Sequence, residues 1–233
     1  MTTPKFYVVA RVVSRDGALP TWKQRIESLV NVSATERLGD SYYWGHSLDG
    51  DTDTIIGLEG YVHPVGFFIG HFETDVFKRE VKLIDGAKLL RHEQGLDSPD
   101  YDLHHYDLEG GWLKREDDPH KDSKTSHVAV YHFWATEEAK RPELLQKMVA
   151  FADALKGTQG ANGPVQSCAI LKECRDFTMA TLWLRTKNTD AYNAFQSSGP
   201  LPKLLEELKP ITQKQQLRRS QAFNGHLELK PST

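Results

Sequence analysis

The chain has 233 residues, with 29 Lys and Arg against 32 Asp and Glu, and its formal net charge is −3. This near balance argues against the basic face that attracts nucleic acid or acidic lipid. Two cysteines argue against a disulfide framework and suit a reducing compartment. The first residues lack the layout of a signal peptide and no apolar stretch is long enough to span a bilayer. We therefore expect a cytoplasmic protein with no nucleic-acid or membrane partner.

The first half of the chain alternates strand-like and helix-like patterns. Pro20 suits the first turn of a helix, and residues 49–51 are a hairpin signal between two strand-like runs. The predicted elements are a strand at 5–13, a helix at 21–37, a strand around 42–44, a strand at 54–61, a helix at 65–84 and a short strand at 103–108.

The second half repeats this order, which is the ferredoxin-like pattern of strands and helices. We predict a first domain at 1–109, a linker at 110–125 and a second, divergent domain at 126–233. The predicted elements of the second half are a strand at 127–134, a helix at 142–156, strands at 165–171 and 178–184, a helix at 190–208 and a strand at 223–229.

The first strand of each half is apolar on both faces. A strand with one face in water should alternate apolar and polar residues, so both faces of these strands are expected to be covered. Helices can cover one face, and the other half of the chain can cover the second. We therefore predict an α+β fold in which two antiparallel sheets pack face to face into a barrel-like core. The chain would be an intrachain pseudo-dimer, and a further homodimer stays open.

One segment of the first half carries a family resemblance. It begins with Leu58-Glu59-Gly60-Tyr61 and continues through residues 67–78, which include Phe67 and His71. With these residues the first half resembles the antibiotic biosynthesis monooxygenase (ABM) domain of the dimeric α+β barrel superfamily. The second half matches more loosely, through Trp183 and residues 193–198. The resemblance implies a tandem ABM protein.

Activities in this family include cofactor-free oxygenation of phenolic polyketides to quinones, haem degradation, and isomerase or lyase chemistry. Haem-degrading members carry Asn, Trp and His where this chain has Ala10, Tyr61 and Val81, which argues against haem. The glycine-rich run 157–160 follows a helix and precedes a strand, the wrong order for a dinucleotide loop. No His and carboxylate spacing indicates a metal site. We predict no cofactor and no metal.

Three residues are predicted to be catalytic. The resemblance places a recurring pocket histidine at His71, where it would be a base or a hydrogen-bond partner. Tyr61 ends the third strand, where its hydroxyl could orient a substrate oxygen, and Glu59 has the same parity, so both should face one side. A buried Glu has a raised pKa and could act as a base. Each of these residues also has a structural alternative. His71 could be a helix residue that packs against a strand, Tyr61 could be an interface tyrosine, and Glu59 could be a strand-end carboxylate paired with a neighbouring Arg.

Eight further residues are predicted to bind the substrate from the interior of the barrel. Trp44 and His46 share one face of the second strand, and Trp183 and Arg185 share one face of a strand in the second half. Arg185 could hold a carboxylate or phenolate, or it could form a rim salt bridge. The predicted binding residues are Trp44, His46, His63, Phe67, Tyr131, His132, Trp183 and Arg185.

The two halves differ at the residues that could carry chemistry. Leu182 stands where the first half has Glu59, and Phe195 stands where it has His71. The first half is therefore predicted to hold the working pocket. We expect an enzyme of secondary metabolism that oxidises a phenolic aromatic substrate with O2. The alternatives are an isomerase, cyclase or lyase that uses the same pocket, and a non-catalytic small-molecule-binding or stress protein.

Overall fold

The computed structural model describes residues 5–160, 162–197 and 199–229. It is an α+β fold whose paired strands are antiparallel. The chain divides into two compact units, Met1–His105 with Ala222–Thr233, and Tyr106–Gln221. The domain boundaries at residues 109 and 126 were inferred from the sequence repeat, and they remain a prediction.

The first unit has one sheet and two main helices. In this sheet β3 lies between β1 and β2, with Val8 opposite Glu59. Alternate residues of β1, among them Ala10 and Val12, pack against Trp22 and Ile26 of α1. The elements are β1 Phe6–Val12, α1 Leu19–Ser33, β2 Gly39–Ser47, β3 Ile55–Tyr61, a π-helical turn at Gly66–His71, α2 Asp75–Gly86 and β4 Tyr101–Trp112.

Both helices of this unit differ from their predicted bounds. The helix predicted at 65–84 is divided, because Thr74 is extended and its side chain caps α2 by accepting a hydrogen bond from Phe77 N at 3.1 Å. The residues before the cap form the π-helical turn. The helix α1 ends at Ser33 instead of residue 37, because bonds such as Glu36 N to Ser33 O tighten its last turn.

The second unit repeats the order of strands and helices. Here β7 lies between β5 and β6, while β8 pairs with β5 and β4 pairs with β6. The helices cover the sheet face that carries Tyr131, Phe133 and Leu182. The elements are β5 His127–Ala135, α3 Arg141–Thr158, β6 Val165–Glu173, β7 Met179–Thr186, α4 Thr189–Ser197, α5 Pro200–Leu208 and β8 Thr212–His226.

Three predicted elements of this part of the chain needed correction. The helix predicted at 190–208 is two helices, separated where Gly199 has a φ of +84° before Pro200. The last strand starts at Thr212 instead of residue 223 and pairs with β5 from its first residue. The prediction missed this part because these residues are polar and exposed or half exposed, so they carry no apolar pattern. The strand β4 continues to Trp112, past the predicted start of the linker at 110.

The predicted α+β class and the antiparallel strand pairing are confirmed. The face-to-face packing of two repeats stays a prediction. Within the part of the chain that the structure describes, none of the helices has the length and apolarity needed to cross a bilayer.

Candidate active site

A cavity of about 420 Å3 lies inside the first unit, between the sheet and the helices α1 and α2. It follows β1 from Val8 to Val12, a distance of about 13 Å at the rise of an extended strand. The walls are mainly aromatic and aliphatic. They include Trp22, Ile26, Tyr42, Trp44, Phe67, Phe68, Phe72, Phe77, Ile84 and Tyr101.

Two local features position the aromatic walls. Gly57 of β3 leaves room for Trp44 of β2, since a Cβ at residue 57 would lie 2.4 Å from the indole ring. On the helical side, the buried carboxyl of Glu80 binds Arg25 of α1 at 3.0 Å and so joins the two helices beside the cavity. The exposed side chains of Phe68, Leu96 and Leu103 lie at the outer end.

The polar end of the cavity is built around His71, which is only 1% exposed. Its Nδ1 lies 2.6 Å from Oε1 of Glu36, and Thr74 Oγ1 donates a hydrogen bond to its backbone oxygen at 2.9 Å. Its Nε2 has no hydrogen-bond partner among the described residues. Burial by itself would lower the pKa of His71, but the hydrogen bond that it donates to Glu36 and the charges of Glu59 and Glu36 raise it above its ordinary value.

Glu59 lines the same end and is 6% exposed. Tyr61 donates a hydrogen bond to its Oε2 at 2.8 Å. Burial raises the pKa of Glu59, and the charge of His71 and the bonds from Tyr61 and Tyr42 offset part of that rise. Burial and the charge of Glu59 raise the pKa of Tyr42 and Tyr61 well above the ordinary value, so both hydroxyls remain neutral donors. At this end the neighbouring carboxylates favour the protonated form of His71, and burial favours the neutral form of Glu59.

The structure brings four of the sequence-predicted site residues together. Trp44, Glu59, Phe67 and His71 all line the cavity, and Tyr61 stands directly behind Glu59. They face the helices of their own unit, whereas the prediction placed them in a barrel interior. Side chains at alternate positions of a strand lie on the same face of the sheet. On β2 these positions include Tyr42 and Trp44, and that face packs against the helices.

Two other predicted residues of this unit lie outside the cavity lining. His46 is half-buried near the end of β2, where burial and the charge of Lys23 lower its pKa. His63 is exposed in the loop after β3, and its Nδ1 accepts a hydrogen bond from Val65 N at 3.1 Å.

The four predicted residues of the second unit do not line this cavity either. Tyr131 bonds Tyr192 through its hydroxyl at 2.8 Å, and His132 Nδ1 lies 2.8 Å from Thr181 Oγ1. Trp183 and Arg185 are buried on β7. Their predicted role in substrate binding stays a prediction, and the contacts of Arg185 favour a structural role.

Several lining or neighbouring residues were missed by the sequence reasoning. The role of Glu36 could not be recognised from the sequence, because its contact with His71 spans 35 residues. Glu36 also falls in a segment that was predicted to be the end of a helix. Trp22, Tyr42 and His105 were not among the predicted site residues, yet all three line the cavity, and His105 stacks on Phe6.

Within the described ranges, no group of three or more His, Cys, Asp or Glu side chains is arranged to hold a metal ion. Of the two carboxylates near His71, Glu36 binds its Nδ1 and Glu59 accepts a hydrogen bond from Tyr61.

Comparison with protein-family models gives no match. Curated protein sequences give none either. The chain is similar to solved structures, several of which cover almost its whole length.

A candidate monooxygenase from Fusobacterium nucleatum subsp. nucleatum is 13% identical, with 98% of this chain and 96% of that chain covered at a TM-score of 0.77. A second candidate monooxygenase, from Lactobacillus acidophilus, is 8% identical, with 97% of each chain covered at a TM-score of 0.75. An anthrone oxidase-like protein is 10% identical, with 99% of this chain and 96% of that chain covered at a TM-score of 0.64. At these identities the likeness is one of fold.

Proposed function

We propose that the protein is a cofactor-independent monooxygenase that oxidises a phenolic aromatic compound to a quinone. The observation that carries this proposal is the pairing of His71 and Glu59 at one end of an aromatic cavity of about 420 Å3. Cavities of about 300–1,000 Å3 hold small ligands. The similar fold of an anthrone oxidase-like protein supports the same class of substrate.

In this mechanism the substrate lies along β1 with its ionisable oxygen at the polar end. Glu59, whose pKa burial raises, accepts the proton that the phenol or its keto tautomer loses. His71 donates from Nε2 to the oxygen that becomes negative, and the apolar walls keep water away. The tyrosine hydroxyls hold the Glu59 carboxyl in place.

The oxidation itself needs only the substrate anion and O2. The anion passes one electron to O2, the two radicals join in a carbon–oxygen bond, and the peroxide loses water. One oxygen atom becomes the new carbonyl oxygen and the other leaves as water. Each turnover removes two hydrogen atoms from the ring carbon and consumes one O2.

The decisive experiment measures O2 uptake and product formation with anthrone, in buffer that contains a chelator and no flavin or haem. We expect one O2 consumed for each anthraquinone formed, with 18O from labelled O2 in the product. Turnover that stops after exhaustive chelation, or requires added flavin, would contradict a cofactor-independent reaction.

The pH profile tests the assigned roles of the two residues. Glu59 must be ionised, so activity should rise as the pH passes its raised pKa, and His71 must be protonated, so activity should fall as the pH passes its raised pKa. We expect a bell-shaped profile of kcat/KM whose alkaline side lies above pH 6.5, the ordinary pKa of His. If His71 were a neutral base, activity would instead rise through that same pKa.

An isomerase or lyase is the second candidate, because the proton donor His71 and the proton acceptor Glu59 stand at the same end of the cavity. Such an enzyme would exchange substrate protons with solvent and consume no O2. Deuterium incorporation under nitrogen, measured by mass spectrometry, separates the two reactions. A protein that binds the compound without turnover or exchange would be a binding protein only.

A further inference from the structure

Glu36 is a buried carboxylate that does not line the cavity but touches a residue that does. It lies in the connection between α1 and β2, and its side chain is only 9% exposed. Its Oε1 is 2.6 Å from Nδ1 of His71. A buried carboxylate costs free energy unless it is paired and hydrogen-bonded, and His71 supplies one such partner.

The His71 ring is fixed on several sides. Phe77 of α2 meets it edge to face at 4.9 Å between ring centres, and Tyr42 of β2 is at 5.5 Å. Thr74 holds its backbone oxygen. With the ring held in this plane and Nδ1 bonded to Glu36, Nε2 is the nitrogen left for a molecule in the cavity.

The titratable groups around His71 come from three elements. Glu36 approaches from the α1–β2 connection, Tyr42 from β2, and Glu59 and Tyr61 from β3. Both carboxylates favour the protonated imidazole, whereas burial opposes it. A carboxylate on Nδ1 also fixes the tautomer, since that nitrogen must carry a hydrogen to donate.

We propose that Glu36 is a positioning residue that accepts a hydrogen bond from Nδ1–H of His71 and keeps the imidazole protonated on both nitrogens, so that Nε2–H is a donor to the anionic oxygen of a bound phenolate or enolate. This inference rests on the proposed function for the identity of the anion. In this inference the Glu36–His71 pair determines whether Nε2 of His71 acts as a hydrogen-bond donor or as a base. The ligand class that follows is a phenolic or enolisable aromatic compound whose ionisable oxygen reaches Nε2 of His71.

The test compares Glu36→Gln with Glu73→Gln in the full chain. Gln has nearly the same shape as Glu without the charge, and Glu73 is an exposed residue of the same region that pairs with Lys78. Histidine NMR titration, with the His71 signal assigned by its loss in His71→Gln, should show the His71 pKa lowered by about 1–3 units in Glu36→Gln. Glu73→Gln should leave it unchanged.

A kinetic readout separates positioning from a merely structural role. With anthrone as substrate, the alkaline side of the kcat/KM profile should move to lower pH by the same amount in Glu36→Gln, with kcat reduced and KM little changed. Glu36→Asp keeps the charge and should keep most of the pKa shift. Glu36→Ala, which also removes the charge, carries the titration test if Glu36→Gln fails to fold, as judged by near-UV circular dichroism.

The inference and the proposed function can fail separately. An unchanged His71 titration in a folded variant that lacks the Glu36 charge would overturn the role of Glu36, whatever the enzyme turns over. A lowered His71 pKa with no oxidation of anthrone would keep the Glu36–His71 coupling and overturn the proposed function. A lowered pKa with an unmoved kinetic profile would overturn the donor role.

Discussion

Replacing His71 by Gln is expected to lower kcat/KM for the oxidation of anthrone by about 100- to 1,000-fold, the usual cost of removing one donor to a developing anion. Gln fills much of the same space, so the aromatic contacts with Phe77 and Tyr42 lose little packing. The positive charge beside Glu59 is lost, which removes the stabilisation of the substrate anion. O2 uptake under steady-state conditions measures the effect.

The matched control is His63→Gln, since His63 is exposed in the loop after β3 and does not line the cavity. Its activity should equal that of the wild type. Quenching of the tryptophan fluorescence by the substrate, with Trp22 and Trp44 in the walls, should show that His71→Gln still binds. Wild-type turnover in His71→Gln would remove this residue from the mechanism.

Replacing Arg185 by Met is expected to destabilise the protein by about 3 kcal/mol or more, because each buried polar partner left unsatisfied costs about 1–3 kcal/mol. Arg185 is fully buried on β7. Its guanidinium donates to Ser167 Oγ at 2.9 Å, Gln166 Oε1 at 3.1 Å and the backbone oxygen of His120 at 3.2 Å. Met fills similar volume but satisfies none of these acceptors. Urea unfolding followed by circular dichroism measures the change.

These contacts join β6 and β7 to the segment before β5, so Nε and Nη1 of Arg185 are engaged by protein atoms. Arg175→Met is the control, because Arg175 is exposed in the turn between β6 and β7 and should change the unfolding free energy by less than about 0.5 kcal/mol. Folded Arg185→Met should keep the KM for anthrone. A raised KM without loss of stability would instead support the predicted role of Arg185 in substrate binding.

Much of the fold could be predicted because it follows from local patterns. Apolar runs marked strands such as β1 and β5, and Asp49-Gly50-Asp51 marked the turn between β2 and β3, where Gly50 has a φ of +87°. The parity of Glu59 and Tyr61 correctly placed both on one side of β3, where they bond each other. The misses lie where polarity hides a strand, as in the start of β8, or where a cap divides a helix, as at Thr74.

The sequence by itself determined the order of elements and the antiparallel pairing through short turns, and with the family resemblance it singled out His71, Tyr61 and Glu59 as catalytic candidates. Only the tertiary structure decided that the cavity lies between the sheet and the helices of the first unit, and that Glu36 binds Nδ1 of His71. The physical reason is the range of the interactions. Periodicity and turn preferences act over a few residues, whereas a buried hydrogen bond between residues 35 apart depends on how distant elements pack.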